Sequence, residues 1–191
     1  MIDWRMHFET GLKYADFLAK HGSQLHHQRW QSNLDSITLT DQQKTDLSSF
    51  KRHMKVFCLS GTWCGDCASQ CPIFEHIVQA APEGLIDLRY VDRDAVAPEL
   101  GPLIKINGGQ RVPALIFISE DDFEVARYGE KTLAKIRDEA AKLDGTSCSL
   151  GFANSVADNL RAAVVAEWVD QFERAQLILR LSARLREKYG D

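Results

Sequence analysis

Residues 54–60, MKVFCLS, form a short run of apolar, β-branched and aromatic residues that stops at Gly61-Thr62. A run of this length and composition reads as a strand buried on both faces. A helix has to follow at once, from the Trp63-Cys64 segment to about Ala81, with Pro72 inside it. LIDLRYVD (85–92) supplies a second strand, and APELGPLIKING (97–108) reads as a short helix broken by Gly and Pro. VPALIFI (112–118) and FEVARYG (123–129) are two further strands separated by the turn residues SEDD, and Thr132 to Leu143 is a helix. The order strand–helix–strand–helix–strand–strand–helix predicts an α/β fold, a central mixed β-sheet flanked by helices.

Helical segments are added at both ends. Trp4, Phe8, Leu12, Ala15 and Leu18 recur at helical spacing, which predicts one amphipathic helix over about residues 3–20, ended by His21-Gly22-Ser23. Residues 24–39 are ambiguous between a helix and a helix followed by a short SITLT strand. Thr40-Asp41-Gln42-Gln43 fits a capping box that opens a helix to about Arg52. After the small-residue loop around Cys148, Leu160, Val164, Trp168, Phe172, Ala175, Leu179 and Leu185 form a stripe on one long helix or a helical pair. That stripe either packs on its own domain or makes a homodimer through the C-terminal helix. The expected organisation is an N-terminal extension over 1–35, a central domain over 36–145 and a C-terminal extension over 146–191.

With 191 residues the chain can bury a core without help from a disulfide or metal. Its formal charge of −4 gives no general attraction to nucleic acid or to an anionic membrane. No apolar run reaches signal-peptide or membrane-span length. Five cysteines cannot form a fully paired framework, and the expected setting is the cytoplasm, where thiols stay reduced.

Three of those cysteines, Cys64, Cys67 and Cys71, fall within eight residues, in SGTWCGDCASQCP (60–72). With Cys64 at the end of the strand loop and Cys67 in the first helical turn, two intervening residues let the sulfurs meet. The helix N-terminus adds unpaired N–H donors and partial positive charge. Both favour a thiolate, the nucleophilic form. Cys64 would attack a disulfide and Cys67 would resolve the mixed disulfide. A metal site is the competing reading, with Cys64, Cys67 and Cys71 as ligands and His76 as the fourth of a tetrahedron. Trp63 and the downstream proline loop have no role in such a site, and no metal is expected. Cys58 reads as strand core, Cys71 as a packed helix residue and Cys148 as an ordinary free thiol. Trp4, Trp30 and Trp168 read as packing residues, His26-His27 as solvated, Asp121-Asp122 as a turn, and Asp92 and Asp94 as loop and capping residues.

The sequence resembles the thioredoxin family at four points in order over residues 36–143. WCGDC is similar to the family's W-C-G-P-C, with Asp66 in place of proline. Pro72 matches the helix-kinking proline, RVPALIFI matches the cis-proline loop at Pro113, and Gly129 matches the glycine that closes the peptide-docking groove. The resemblance implies a thioredoxin-like fold and dithiol–disulfide exchange on protein clients without a bound cofactor. A separate thiol reductase or small-thiol donor would supply electrons. A cis Val112–Pro113 bond would present the Val112 backbone to an extended client segment, with Trp63 and Val112 as an apolar docking patch. Gly65, Asp66, Cys58 and Pro72 would tune the pair. The Asp66 charge disfavours a neighbouring thiolate. Cys58 stands where many thioredoxins have a buried aspartate assigned to proton transfer, and it should stay a neutral thiol. That transfer would then use water or Asp66. The rival is a redox-inactive binding module in which the Trp63–Pro113 groove holds a partner and the C-terminal helix assembles.

Overall fold

The computed structural model describes residues 2–143 and 153–190, so Cys148 lies outside the described residues. The run at 54–60 is the central strand β1 (Met54–Ser60), and the helix that follows it is α5 (Gly65–Ala80). β2 (Ile86–Asp92) lies parallel to β1, while β3 (Ala114–Ile118) runs antiparallel to β1 and β4 (Glu124–Gly129) antiparallel to β3. The sheet order is β2-β1-β3-β4. β1 and β3 sit inside, and this explains their continuous apolar runs: neither has a solvated face. β4 is the outer strand and is only partly buried.

The N-terminal helix predicted over 3–20 is two helices, α1 (Trp4–Glu9) and α2 (Tyr14–His21). Between them the chain is extended, and Leu12 pairs with Tyr90 at the β2 edge through N–H···O bonds of 2.9 and 2.8 Å. A Cβ on Gly11 would stand 2.7 Å from Cβ of Arg89, so only glycine lets the backbone approach this closely. α3 (Gln24–Ser36) starts from a Ser23 capping box, and α4 (Asp41–Ser48) from the Thr40–Gln43 box expected from sequence. SITLT makes no strand: Ile37 and Leu39 bury their side chains as anchors of a connector. α4 ends at Ser48, short of Arg52. The expected helix in 97–108 shrinks to one 3-10 turn at Gly101–Leu103, where glycine and proline cannot sustain more.

α6 (Leu133–Leu143) follows β4, and the C-terminal stripe lies on one long helix, α7 (Ala153–Leu181), then α8 (Ala183–Tyr189) after Ser182, which caps α8. Val164, Trp168, Phe172, Ala175, Leu179 and Leu185 are buried within the chain. Phe172 meets Phe117 of β3 edge-on at 5.1 Å and Trp168 meets Phe74 of α5 at 4.6 Å. The stripe therefore packs within its own chain and completes the core. α1 covers the other face of the sheet, with Trp4 5.9 Å from Phe57. Among the described residues, no helix is long and apolar enough to cross a membrane.

Candidate active site

α5 begins where β1 runs out, and Cys64 is its N-cap residue, in an extended backbone conformation with no side-chain capping bond. The Cys64 thiol is thereby free to point outward. It is half-buried and lies 3.7 Å from the Val112 carbonyl oxygen, to which it donates. Val112–Pro113 is a cis bond, as the resemblance implied. Cys67, in the first turn of α5, is fully buried, and its sulfur competes with the Val112 carbonyl for the Cys64 proton. Gly129 closes the site from β4 with φ +151°, and a Cβ there would stand 2.3 Å from the Pro113 carbonyl oxygen. Six of the sequence-selected residues thus converge: Trp63, Cys64, Cys67, Val112, Pro113 and Gly129.

Their roles differ in part from expectation. Trp63 is 42% exposed, with the Arg93 guanidinium 4.3 Å over its ring, so it is an open amphipathic surface. The Val112 side chain is buried. What Val112 turns to the site is its carbonyl, against the Cys64 thiol, and not an exposed apolar patch. A Cβ added at Gly65 would meet nothing within 4 Å, so nothing steric demands glycine there. Asp66 lies 3.8 Å from the Lys131 ammonium, which offsets its charge beside the sulfurs. Pro72 is buried within α5. Cys58 and Cys71 are buried thiols, and Cys71 sits 3.4 Å from the Ser60 hydroxyl. His76 does not turn to the cysteines; its Nε2 meets the Leu34 carbonyl at 2.9 Å. Among the described residues, no group of three or more His, Cys, Asp or Glu is placed to hold a metal ion.

Two braces were not visible in the sequence. Trp30 of α3 donates from Nε1 to the Thr62 carbonyl at 3.1 Å, and Thr62 donates to the His21 carbonyl at 2.8 Å. On the opposite flank Gln70 of α5 accepts from Trp168 Nε1 at 2.8 Å and donates to the Glu130 carbonyl at 3.0 Å. No spacing rule links residues so far apart in the chain.

The electrostatics oppose each other at Cys64. Donating to Cys67 and partial burial raise its thiol above the ordinary range, while the backbone N–H groups of Cys67 and Asp66 pull it down. Burial holds Cys67 well above the ordinary range. Both thiols therefore hold their protons more tightly than a free cysteine does, and loss of a second proton is opposed by like charge as well.

A thioredoxin family model matches residues 11–141, which takes in α2 and α3 as well as the cysteine motif and the cis-proline loop. No curated protein matches the chain. A protein of unknown function from Pseudomonas aeruginosa has a similar solved structure, with 16% identity, a TM-score of 0.67, and 94% of this chain and 98% of that one covered. An HIV epitope-scaffold shares the same fold at 15% identity and a TM-score of 0.67, covering 95% of this chain and 100% of that one. These two likenesses concern the fold alone. The family match spans well over half of the sequence, so this chain belongs to the thioredoxin family.

Proposed function

We propose that the chain is a thiol–disulfide oxidoreductase that exchanges its Cys64/Cys67 dithiol with disulfides of protein clients, as a reductant in a reducing compartment. The observation that carries the reading is a half-buried Cys64 thiol at the mouth of α5, against the Val112 carbonyl, with Cys67 behind it in hydrogen-bond contact. The Cys64 thiolate attacks one sulfur of the client disulfide. A Cys64–client disulfide forms, and the client's other sulfur leaves as a thiolate. Cys67 then attacks the Cys64 sulfur, forming the Cys64–Cys67 disulfide and freeing the second client thiolate. Two electrons pass to the client, and a separate thiol reductase or small thiol restores the dithiol. The backbone of Val112 and the exposed ring of Trp63 suit an extended client segment laid across the site.

The test is catalysed reduction of a disulfide-bonded protein, wild type against Cys64→Ser. The variant is expected to fall to the uncatalysed rate. Equal rates for the two proteins would overturn the reading in favour of a binding module. Cys67→Ser should hold clients as stable mixed disulfides through Cys64, and mass spectrometry of the trapped species would name them.

A further inference from the structure

The helix that carries the cysteines and the chemistry they would do ask opposite things of residue 66. Asp66 stands in the first turn of α5, where a carboxylate meets unpaired N–H groups and the positive end of the helix, and so favours it. It also stands between Cys64 and Cys67, where the same negative charge opposes formation of a thiolate. The proline of the family's motif sets up no such conflict. In this chain the answer comes from a distant loop. Just past Gly129, Lys131 brings its ammonium 3.8 Å from the Asp66 carboxylate and 2.7 Å from that of Glu139 on α6. Lys131 and Asp66 are 22% and 30% exposed, so water only partly screens them from each other. The loop is tied to the same helix, since the Glu130 carbonyl accepts from Gln70 of α5. The bond to Glu139 and the nearby Asp66 and Glu130 carboxylates hold the Lys131 ammonium above its ordinary value, so it stays charged wherever a thiol ionises. The other charges bordering Cys64 are matched among themselves: Arg111 with Glu130 at 3.5 Å, and Arg93, over the Trp63 ring, with Asp94 at 2.9 Å. Within WCGDC itself the only charge is Asp66.

We propose that Lys131 is a positioning residue for the dithiol: it neutralises the Asp66 charge that the motif would otherwise hold against the Cys64 thiolate, and so sets how readily Cys64 reacts. In its consequence for turnover this rests on the exchange reaction proposed above. With Lys131 charged, the N–H groups of Cys67 and Asp66 act on the Cys64 sulfur with no unmatched carboxylate beside them. With Lys131 made neutral, Asp66 keeps its place on the helix but faces the sulfurs alone, and the attack of Cys64 on a disulfide slows. Glu139 holds the ammonium from the α6 side, so the balance reaches Cys64 from an element that buries none of its residues fully.

The experiment is alkylation of the reduced protein by iodoacetamide at low salt and about neutral pH, with the label at Cys64 followed by mass spectrometry. A partly exposed charge at this range should move the thiol by about half to one pH unit. In rate this becomes about two- to fourfold, because a thiolate of higher pKa is scarcer but more nucleophilic. Lys131→Gln should be slower than wild type by that factor, and Lys131→Arg, which keeps the charge, should stay near the wild-type rate. Asp66→Asn should be faster, and the double variant Asp66→Asn/Lys131→Gln should return close to wild type. In about 1 M salt, where the Debye length is about 3 Å, the spread among the proteins should collapse. Lys131→Gln reacting at the wild-type rate, or a slowing that about 1 M salt leaves untouched, would overturn the charge balance. The exchange reaction fails on a different measurement: a wild type that alkylates as expected yet reduces a disulfide-bonded protein no faster than Cys64→Ser would lose the exchange and keep the balance.

Discussion

At Cys64 the proton is held by a neighbouring sulfur and released by backbone amides. The hydrogen bond to Cys67 and partial burial outweigh the N–H groups of Cys67 and Asp66. Alkylation of Cys64 in the dithiol form should therefore keep accelerating with pH beyond the ~8.5 of a free thiol. Mass spectrometry can assign the reacting cysteine, since Cys58, Cys67 and Cys71 are buried. A plateau reached below neutral pH would mean that the helix N-terminus dominates instead. The two glycines of the site separate in the same residue-level terms. At Gly129, φ is +151° and an added Cβ would press to 2.3 Å against the Pro113 carbonyl oxygen, a backbone atom that cannot swing away. Gly129→Ala should cost well over ~1 kcal/mol, read as a lower urea midpoint at unchanged slope. Gly65 opens α5 with nothing within 4 Å of an added Cβ, so Gly65→Ala should leave the stability unchanged or raise it by up to ~1 kcal/mol, read from the same midpoint.

Among the elements, α6 leans on a neighbour, because it buries none of its residues fully. Glu167 of α7 reaches its N-terminus and accepts from the backbone N–H groups of Leu133 at 2.5 Å and Ala134 at 3.1 Å, and from the Tyr128 hydroxyl. This is an N-cap supplied by another helix, and a negative charge at a helix N-terminus is favourable. Burial raises the Glu167 carboxyl, but these bonds and Arg137 outweigh it, so its folded value is lowered. The sign follows: the contribution is present above the unfolded carboxyl value of about 4.3 and fades as pH falls through the lower folded one. Glu167→Gln should be less stable than wild type at neutral pH, with the gap closing on acidification, and α6 amides should exchange faster. A gap that does not change with pH would refute the role. The elements themselves were largely legible: β1, β2, β3 and β4 stand within two residues of their sequence-read limits, because buried strands and capping boxes are local signals. The break between α1 and α2 was not, since Leu12 continues the helical stripe while it actually pairs with Tyr90. The site followed the same division. The cysteine motif, proline loop and Gly129 were readable as short motifs, whereas Trp30 and Gln70 owe their places to contacts across the fold.

At the scale of the molecule, the helices at both ends turn out to hold the cysteine loop. Trp30 fixes the Thr62 carbonyl from the N-terminal side, and Trp168 fixes Gln70 from the C-terminal side, 98 residues away in sequence. Gln70 is the junction, because its amide also holds the Glu130 carbonyl immediately after Gly129. Through it α7, the active-site helix and the loop that closes the site are one hydrogen-bonded unit. Such a unit has a measurable signature. Trp168→Phe keeps an aromatic ring near Phe74 and Tyr128 but strands the buried Gln70 oxygen, a loss of about 1–3 kcal/mol. Gln70→Leu strands the indole N–H of Trp168 and the Glu130 carbonyl, with a loss of similar size. In the double variant the two stranded partners of the shared bond disappear together. Its destabilisation should therefore fall short of the summed single losses by about 0.5–3 kcal/mol, measured by urea denaturation of all four proteins. The Glu130 carbonyl remains unpaired in that double variant, so Cys64 reactivity should not recover in step with stability. Losses that add to within about 0.5 kcal/mol would mean that the C-terminal helix and the active-site loop are neighbours without being coupled.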